Sequence, residues 1–315
     1  MLSNSFRPFF DVLADQGFET TQSPDGSNVA VLVQITRSKA ETLGLIAQAF
    51  RLAQPGGVVI VDGDKTDGIE SALKQCREIL PADGVISKAH GKLFWMLRPD
   101  VLPADLQVWE AGLALTANPE GFMTAPGMFS VDKVDTGSAL LAGHFDQTLK
   151  GTLADLGAGW GWLSAQALSC GGDISRIDLY EAEQAALEAA KANLTDPRAQ
   201  FFWSDVRALK TPEKYDAVIC NPPFHQSRAA EPAIGLDFIQ KAAEILKPTG
   251  TLWLVANRQL PYEARLDHCF GRWDTLEETH HFKVIKASRP LAKPSRNRNQ
   301  KPLKSRQGRQ IIRRT

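Results

Sequence analysis

A short apolar strand runs straight into a glycine-rich turn at Leu153-Ala154-Asp155-Leu156-Gly157-Ala158-Gly159-Trp160-Gly161, and an apolar helix start follows (Leu163, Ala165, Ala167, Leu168). This opening of a nucleotide-binding βα unit constrains the fold most, because glycines there let the backbone approach a ligand closely. The spacing is G-x-G-x-G rather than the G-x-G-x-x-G of dinucleotide-binding folds, so no helix N-terminus is clearly set up for a pyrophosphate. A second strand is predicted over residues 174–181, ending in Glu181 about twenty residues past the last glycine. An acid there can accept both hydroxyls of a ribose. Phe201-Phe202-Trp203-Ser204-Asp205 reads as a third strand, its terminal acid placed to meet an adenine amino group. The apolar run Ala217-Val218-Ile219-Cys220 is a fourth, and it delivers Asn221. Ligand-type residues at four strand ends predict an open α/β sheet with its site along that edge.

The fourth strand leaves as Asn221-Pro222-Pro223-Phe224. Two prolines have fixed φ and no N–H, and each pushes the preceding residue into an extended conformation. The result is a stiff arm with an amide at its base and an aromatic ring at its tip. Such an arm can hold a planar amine, whose hydrogens the Asn oxygen and nearby carbonyls accept while the ring stacks. These four residues alone read equally well as a proline-rich turn; the upstream glycine turn favours the arm. His225 lies beside it as a base or, more simply, as a structural or RNA-contacting residue. Cys220 reads as strand packing, and His280 and His281 have no partner in the sequence.

The set resembles the class I S-adenosylmethionine-dependent methyltransferases. That likeness implies that Asp155, Gly157, Gly159 and Gly161 cradle the methionine part of S-adenosylmethionine, that Glu181 holds the ribose and that Asp205 meets the adenine. It makes Asn221, Pro222, Pro223 and Phe224 catalytic. Ala125-Pro126-Gly127-Met128-Phe129-Ser130, then Val134-Asp135-Thr136-Gly137-Ser138-Ala139-Leu140-Leu141, is similar to a segment of the bacterial ribosomal RNA (guanine-N2-)-methyltransferases, the RsmC and RlmG types. Phe129 joins the cofactor-binding set on that ground, and the likeness places Asn221 in that set as well as among the catalytic four. Residues 221–226, 255–260 and 282–287 are also similar, so the likeness spans roughly residues 120 to 288. One departure is Trp160, where the family has a small or polar residue; it is expected to crowd the methionine pocket. The implied reaction is methylation of a guanine N2 in ribosomal RNA, small-subunit 16S ahead of large-subunit 23S. Protein glutamine N5-methylation, DNA adenine N6-methylation and a non-catalytic ribosome-assembly or RNA-binding role stand as alternatives.

A strand at residues 29–33, a helix from Glu41 to Leu52, a stop at Gln54-Pro55-Gly56-Gly57 and a strand at residues 58–62 repeat the element order of residues 216–255. The chain thus reads as two Rossmann-like methyltransferase-type domains in tandem, each with a central, mostly parallel sheet flanked by helices. Gln34-Ile35-Thr36-Arg37 stands where the second copy has the arm, and no glycine turn precedes it, so the first copy is degenerate. The expected division is 1–100, a degenerate domain without a cofactor site; 101–124, a linker; 125–288, the catalytic domain; and 289–315, a basic tail.

Lys+Arg and Asp+Glu number 36 each, yet the stretch from Ser288 to Thr315 holds ten Lys/Arg and no acid. With Pro290, Pro294 and Pro302 and few apolar residues, that tail is expected to be disordered when free and to grip RNA phosphates. A hydrophobic content of 43% suits two cores. There is no apolar run of membrane length, no signal-type N-terminus, and no C-x-x-C spacing among four cysteines. A cytoplasmic monomer without metal, acting on ribosomal RNA or a ribosomal subunit, is the expectation.

Overall fold

The structure, a computed structural model, describes residues 1–223 and 232–291. The chain opens with strand β1 (Leu2–Ser3), helix α1 (Arg7–Asp15) and strand β2 (Thr20–Thr21), which pairs parallel to β1. Pro8 sits in the first turn of α1, where its missing N–H would have had no helical partner. A four-stranded sheet follows, built from β3 (Asn28–Gln34), β4 (Ala53–Asp64), β5 (Gly84–Lys88) and β6 (Gly91–Leu97). Helices α2 (Lys39–Leu52), capped by Ser38, α3 (Ile69–Ile79) and α4 (Ala104–Ala111) accompany it. Val33, Phe50, Val59, Val61, Phe94 and Met96 form their shared core.

A short hairpin, β7 (Thr116–Ala117) and β8 (Met123–Thr124), leads to α5 (Thr136–Ala142). The second sheet then alternates β9 (Gly151–Leu156), α6 (Trp162–Cys170), β10 (Ile174–Glu181), α7 (Gln184–Asn193), β11 (Ala199–Trp203) and β12 (Tyr215–Cys220). It finishes with α8 (Pro232–Ile245), β13 (Leu246–Asn257), α9 (Glu263–Cys269), β14 (Phe270–Glu278) and β15 (Phe282–Pro290). Its order is β11-β10-β9-β12-β13-β15-β14, parallel except around β15. One apolar cluster packs on each face, which is why β9 and β12 read as continuous apolar runs. Chain order reverses between β9 and β12, the switch point at which such sheets open a crevice.

The tandem α/β arrangement matches the expectation, with a difference in the first copy. Its sheet order, β3-β4-β6-β5, repeats β12-β13-β15-β14 with the same parallel, antiparallel, antiparallel pairings. The first copy is therefore only the second half of the fold. Among the described residues no successive parallel βα units precede β3 in this sheet, so one pair of three is parallel rather than most. For the same reason helices cover one face only. On the other face Leu32, Ile86 and Leu97 are 62%, 54% and 49% exposed, whereas α5 and α6 cover the matching face of the second sheet.

Two stretches pack across the expected boundaries. Within 101–124, Leu106 of α4 is part of the N-terminal core, while Asn193 clasps both backbone groups of Met123 on β8 at 2.6 and 2.9 Å. Residues 5–10 sit on the second sheet rather than the first: the backbone N–H groups of Arg7 and Gln184 donate to Ala182 and Ser5 at 2.8 and 2.9 Å. The described residues hold no helix long and apolar enough to cross a membrane and no group of three or more His, Cys, Asp or Glu placed to share a metal. Residues 292–315, most of the basic tail, lie outside the described residues.

Candidate active site

The strand register gathers the predicted residues. Leu156 pairs with both Tyr180 and Cys220, and Glu181 pairs with Trp203, so the segments that follow these residues leave the sheet side by side. Between them lies a cavity of about 380 Å³, within the usual range for small-molecule sites. Gly157, Gly159, Glu181, Asp205, Asn221, Pro222, Pro223 and Phe129 all line it. Asp155 and Gly161 do not. Phe224, His225 and Gln226 lie outside the described residues.

All three glycines of the turn have left-handed φ: +73°, +56° and +86° at Gly157, Gly159 and Gly161. What surrounds them differs. A Cβ on Gly157 would stand 3.1 Å from the Phe238 ring, and one on Gly161 would stand 3.2 Å from Ala190 Cβ. A Cβ on Gly159 would meet no protein atom within 4 Å, so the space beside it belongs to the cavity. Gly161 is the N-cap of α6 and its close approach is to α7, a packing role rather than a ligand-facing one.

Glu181 holds this turn from the next strand. Its Oε2 accepts the Gly159 N–H and its Oε1 the Glu183 N–H, both at 2.8 Å. Burial pushes its pKa up, and these N–H groups oppose the rise. Asp205 accepts the Arg207 backbone N–H at 2.8 Å and pairs with its guanidinium at 3.0 and 3.1 Å, which fixes the carboxylate at the cavity edge. Trp160 stands in the cavity wall, its indole N–H donating to the Phe129 carbonyl at 3.0 Å and its ring packed on Phe122.

Asp155 is fully buried behind the wall. Its Oδ2 accepts the Ser164 hydroxyl at 2.7 Å, while Oδ1 has no hydrogen-bond partner among the described residues. Burial raises its pKa to about 7; the Ser164 bond opposes the shift and repulsion from Glu181 adds to it. A pKa raised on folding contributes stability that is full below the unfolded value and lost as pH rises through the folded one. The ligand-free protein is therefore expected to lose stability between about pH 4 and pH 8, by up to ~4 kcal/mol from this group. Denaturant melts across that window check it, and Asp155→Asn should flatten the profile; an unchanged slope in the variant would rule Asp155 out as the source.

At the base of the arm, the Asn221 side-chain N–H groups donate to Asp135 Oδ2 and Ser138 Oγ, each at 2.9 Å. Asp135 is also the N-cap of α5, accepting the Ser138 N–H at 2.8 Å. With both amide hydrogens so placed, the orientation of Asn221 is fixed, and its oxygen is the group left to act as acceptor. Asp135 and Ser138 carry no role in the sequence reading. Their signal was present as a helix-capping Asp-x-x-Ser, and only the fold brings it to a strand end 86 residues away. Cys220 is fully buried with its thiol pushed well above the ordinary value by burial, in keeping with packing.

The geometry of a ligand crevice with an anchored amide agrees with the comparisons. The family model of the methyltransferase small domain matches residues 120–286. Ribosomal RNA small subunit methyltransferase C of Pseudomonas aeruginosa (strain LESB58) is 32% identical over 278 residues, covering 85% of this chain and 82% of that one. The chain belongs to the ribosomal RNA small subunit methyltransferase C family. It is thereby an enzyme of the S-adenosylmethionine-dependent, rRNA-modifying methyltransferases. The family member of Photorhabdus laumondii (strain DSM 15139 / CIP 105565 / TT01) is 28% identical over 285 residues, 89% of this chain and 81% of that one. A solved relative, a 16S rRNA guanine-N2 methyltransferase (RsmC) of T. thermophilus in complex with AdoMet and guanosine, superposes with a TM-score of 0.77 at 25% identity, covering 91% of this chain and 81% of that one. The open cradle at Gly159 and the acids Glu181 and Asp205 on the cavity wall suit the cofactor of this family.

Proposed function

We propose that this enzyme transfers the methyl group of S-adenosylmethionine to the exocyclic N2 of a guanine in 16S rRNA of the small ribosomal subunit. The observation that carries the reading is the double clamp on Asn221 beside the cavity. S-adenosylmethionine, when bound, supplies an electrophilic methyl group on a sulfonium. Everything else falls to the chain. Glu181 and Asp205 hold the nucleoside half, and the turn at Gly157 and Gly159 admits the methionine half. A guanine N2 lone pair is delocalised into its ring and is a weak nucleophile. The Asn221 oxygen and the Pro222 carbonyl accept the two N2 hydrogens, which turns the lone pair toward the methyl and stabilises positive charge as the N–C bond forms. The proton then leaves to water, so no strong base is needed, and positioning supplies much of the rate. Stacking of the flipped guanine on Phe224 completes the arm as read from the sequence.

Small-subunit relatives that match over more than four-fifths of this chain favour 16S over 23S rRNA. In this reading residues 125–288 carry the chemistry. Residues 1–100 bind no cofactor of their own, and they stabilise the catalytic domain and help grip RNA, as does the basic tail. The enzyme works as a cytoplasmic monomer. Purified protein with methyl-labelled cofactor is expected to label N2 of a guanine in 30S particles or naked 16S rRNA. Label in 23S rRNA, in a protein band, or on another nitrogen would overturn the assignment.

A further inference from the structure

We propose that the N-terminal segment Ser5–Phe10 is a built wall of the cofactor cavity, closing it over the nucleoside end. The inference rests on the cofactor reading above. Phe6 and Pro8 line the same cavity as Glu181 and Asp205, although almost two hundred residues separate the two groups in sequence. Their seat is made at the ends of β10 and β11, the strands that deliver those acids. Phe6 forms an antiparallel bridge with Glu183. The Arg7 N–H donates to the Ala182 carbonyl at 2.8 Å, and the Gln184 N–H to the Ser5 carbonyl at 2.9 Å. The Trp203 indole N–H is shared between the Ser5 and Ala182 carbonyls at 3.1 and 2.8 Å. Arg7 donates to the Trp203 carbonyl at 3.3 Å, and its guanidinium lies 4.9 Å from the Trp203 ring centre, with Phe10 edge-on to the same ring at 5.0 Å.

The contacts fall on one strip, residues 182–184 and Trp203, immediately after Glu181 in the chain and at the end of the neighbouring strand. Backbone pairing fixes the register of the segment, and the rings of Phe6 and Pro8 then face the cavity as apolar cover. A nucleoside held by two carboxylates needs such cover, because excluding water strengthens polar contacts and apolar area adds affinity. The cofactor site is thus assembled from the first ten residues together with residues 127–238, and the start of the N-terminal region belongs functionally to the catalytic domain.

The test is calorimetric titration with S-adenosylhomocysteine, which reports binding without turnover, alongside the unfolding midpoint of each ligand-free protein. Phe6→Ala is expected to weaken binding about tenfold through lost apolar cover, with the ligand-free midpoint little changed. Arg7→Ala, which removes an anchor but no cavity-lining group, is expected to weaken it several-fold by releasing the segment. Val12→Ala, on the exposed side of α1, serves as control and is expected to match the wild type. Unchanged affinity in both Phe6→Ala and Arg7→Ala overturns the proposal. Failure of the wild type to bind S-adenosylhomocysteine at all sinks the cofactor reading itself.

Discussion

Asn221→Ala is expected to lower methyl transfer to 16S rRNA by at least about 10³-fold while S-adenosylhomocysteine affinity stays within about threefold. Alanine removes the acceptor that aligns the target nitrogen, and that interaction strengthens only as charge develops on it, so kcat falls rather than KM rising. Rapid-quench single-turnover assays separate the two. Asp135→Asn is the companion variant: it weakens the clamp without touching the target, so an intermediate loss in the chemical step is expected with the target affinity kept. Full activity in Asn221→Ala would remove the arm from the mechanism.

Gly159→Val is expected to abolish cofactor binding, a loss of more than about 100-fold, in a protein that still folds. The valine would need a left-handed backbone that β-branched residues avoid, at about 1–2 kcal/mol. Its Cβ would meet no protein atom within 4 Å and would stand at the cavity, in the ligand's space, instead. The contrast is Gly161→Ala, where the new methyl presses on Ala190. That change should lower the unfolding midpoint and leave affinity nearly untouched. Calorimetry and thermal melts on both variants check the pair; equal loss of affinity in the two would mean that the turn acts as a unit.

What the sequence made legible was local. The glycine turn, the acids at two strand ends and the prolines of the arm are written within a few residues of the strands that place them, so their positions on one edge follow from the α/β pattern. Gly159 and Gly161 show where that legibility stops. Both are turn glycines, and only the atoms facing them separate the one that borders the cavity from the one that packs on Ala190. The clamp from Asp135 and the seat of Ser5–Phe10 were illegible for another reason. Each joins segments far apart in sequence, the second largely through backbone groups that every residue carries. The half-sheet at the N-terminus keeps its strands and helix in the order of the second copy, and nothing in the residues of β5 and β6 marks their pairing as antiparallel.

The seat of Ser5–Phe10 also bears on when this enzyme becomes competent. Arg7 and Trp203, 196 positions apart, must meet before the cavity is closed. At about 5–20 residues per second, a ribosome delivers Trp203 roughly ten to forty seconds after Arg7. During that interval α1 has emerged with Phe6 and Phe10 but without the surface that receives them. A nascent chain can therefore complete its first sheet early, yet it acquires a finished cofactor site only after β11 has left the exit tunnel.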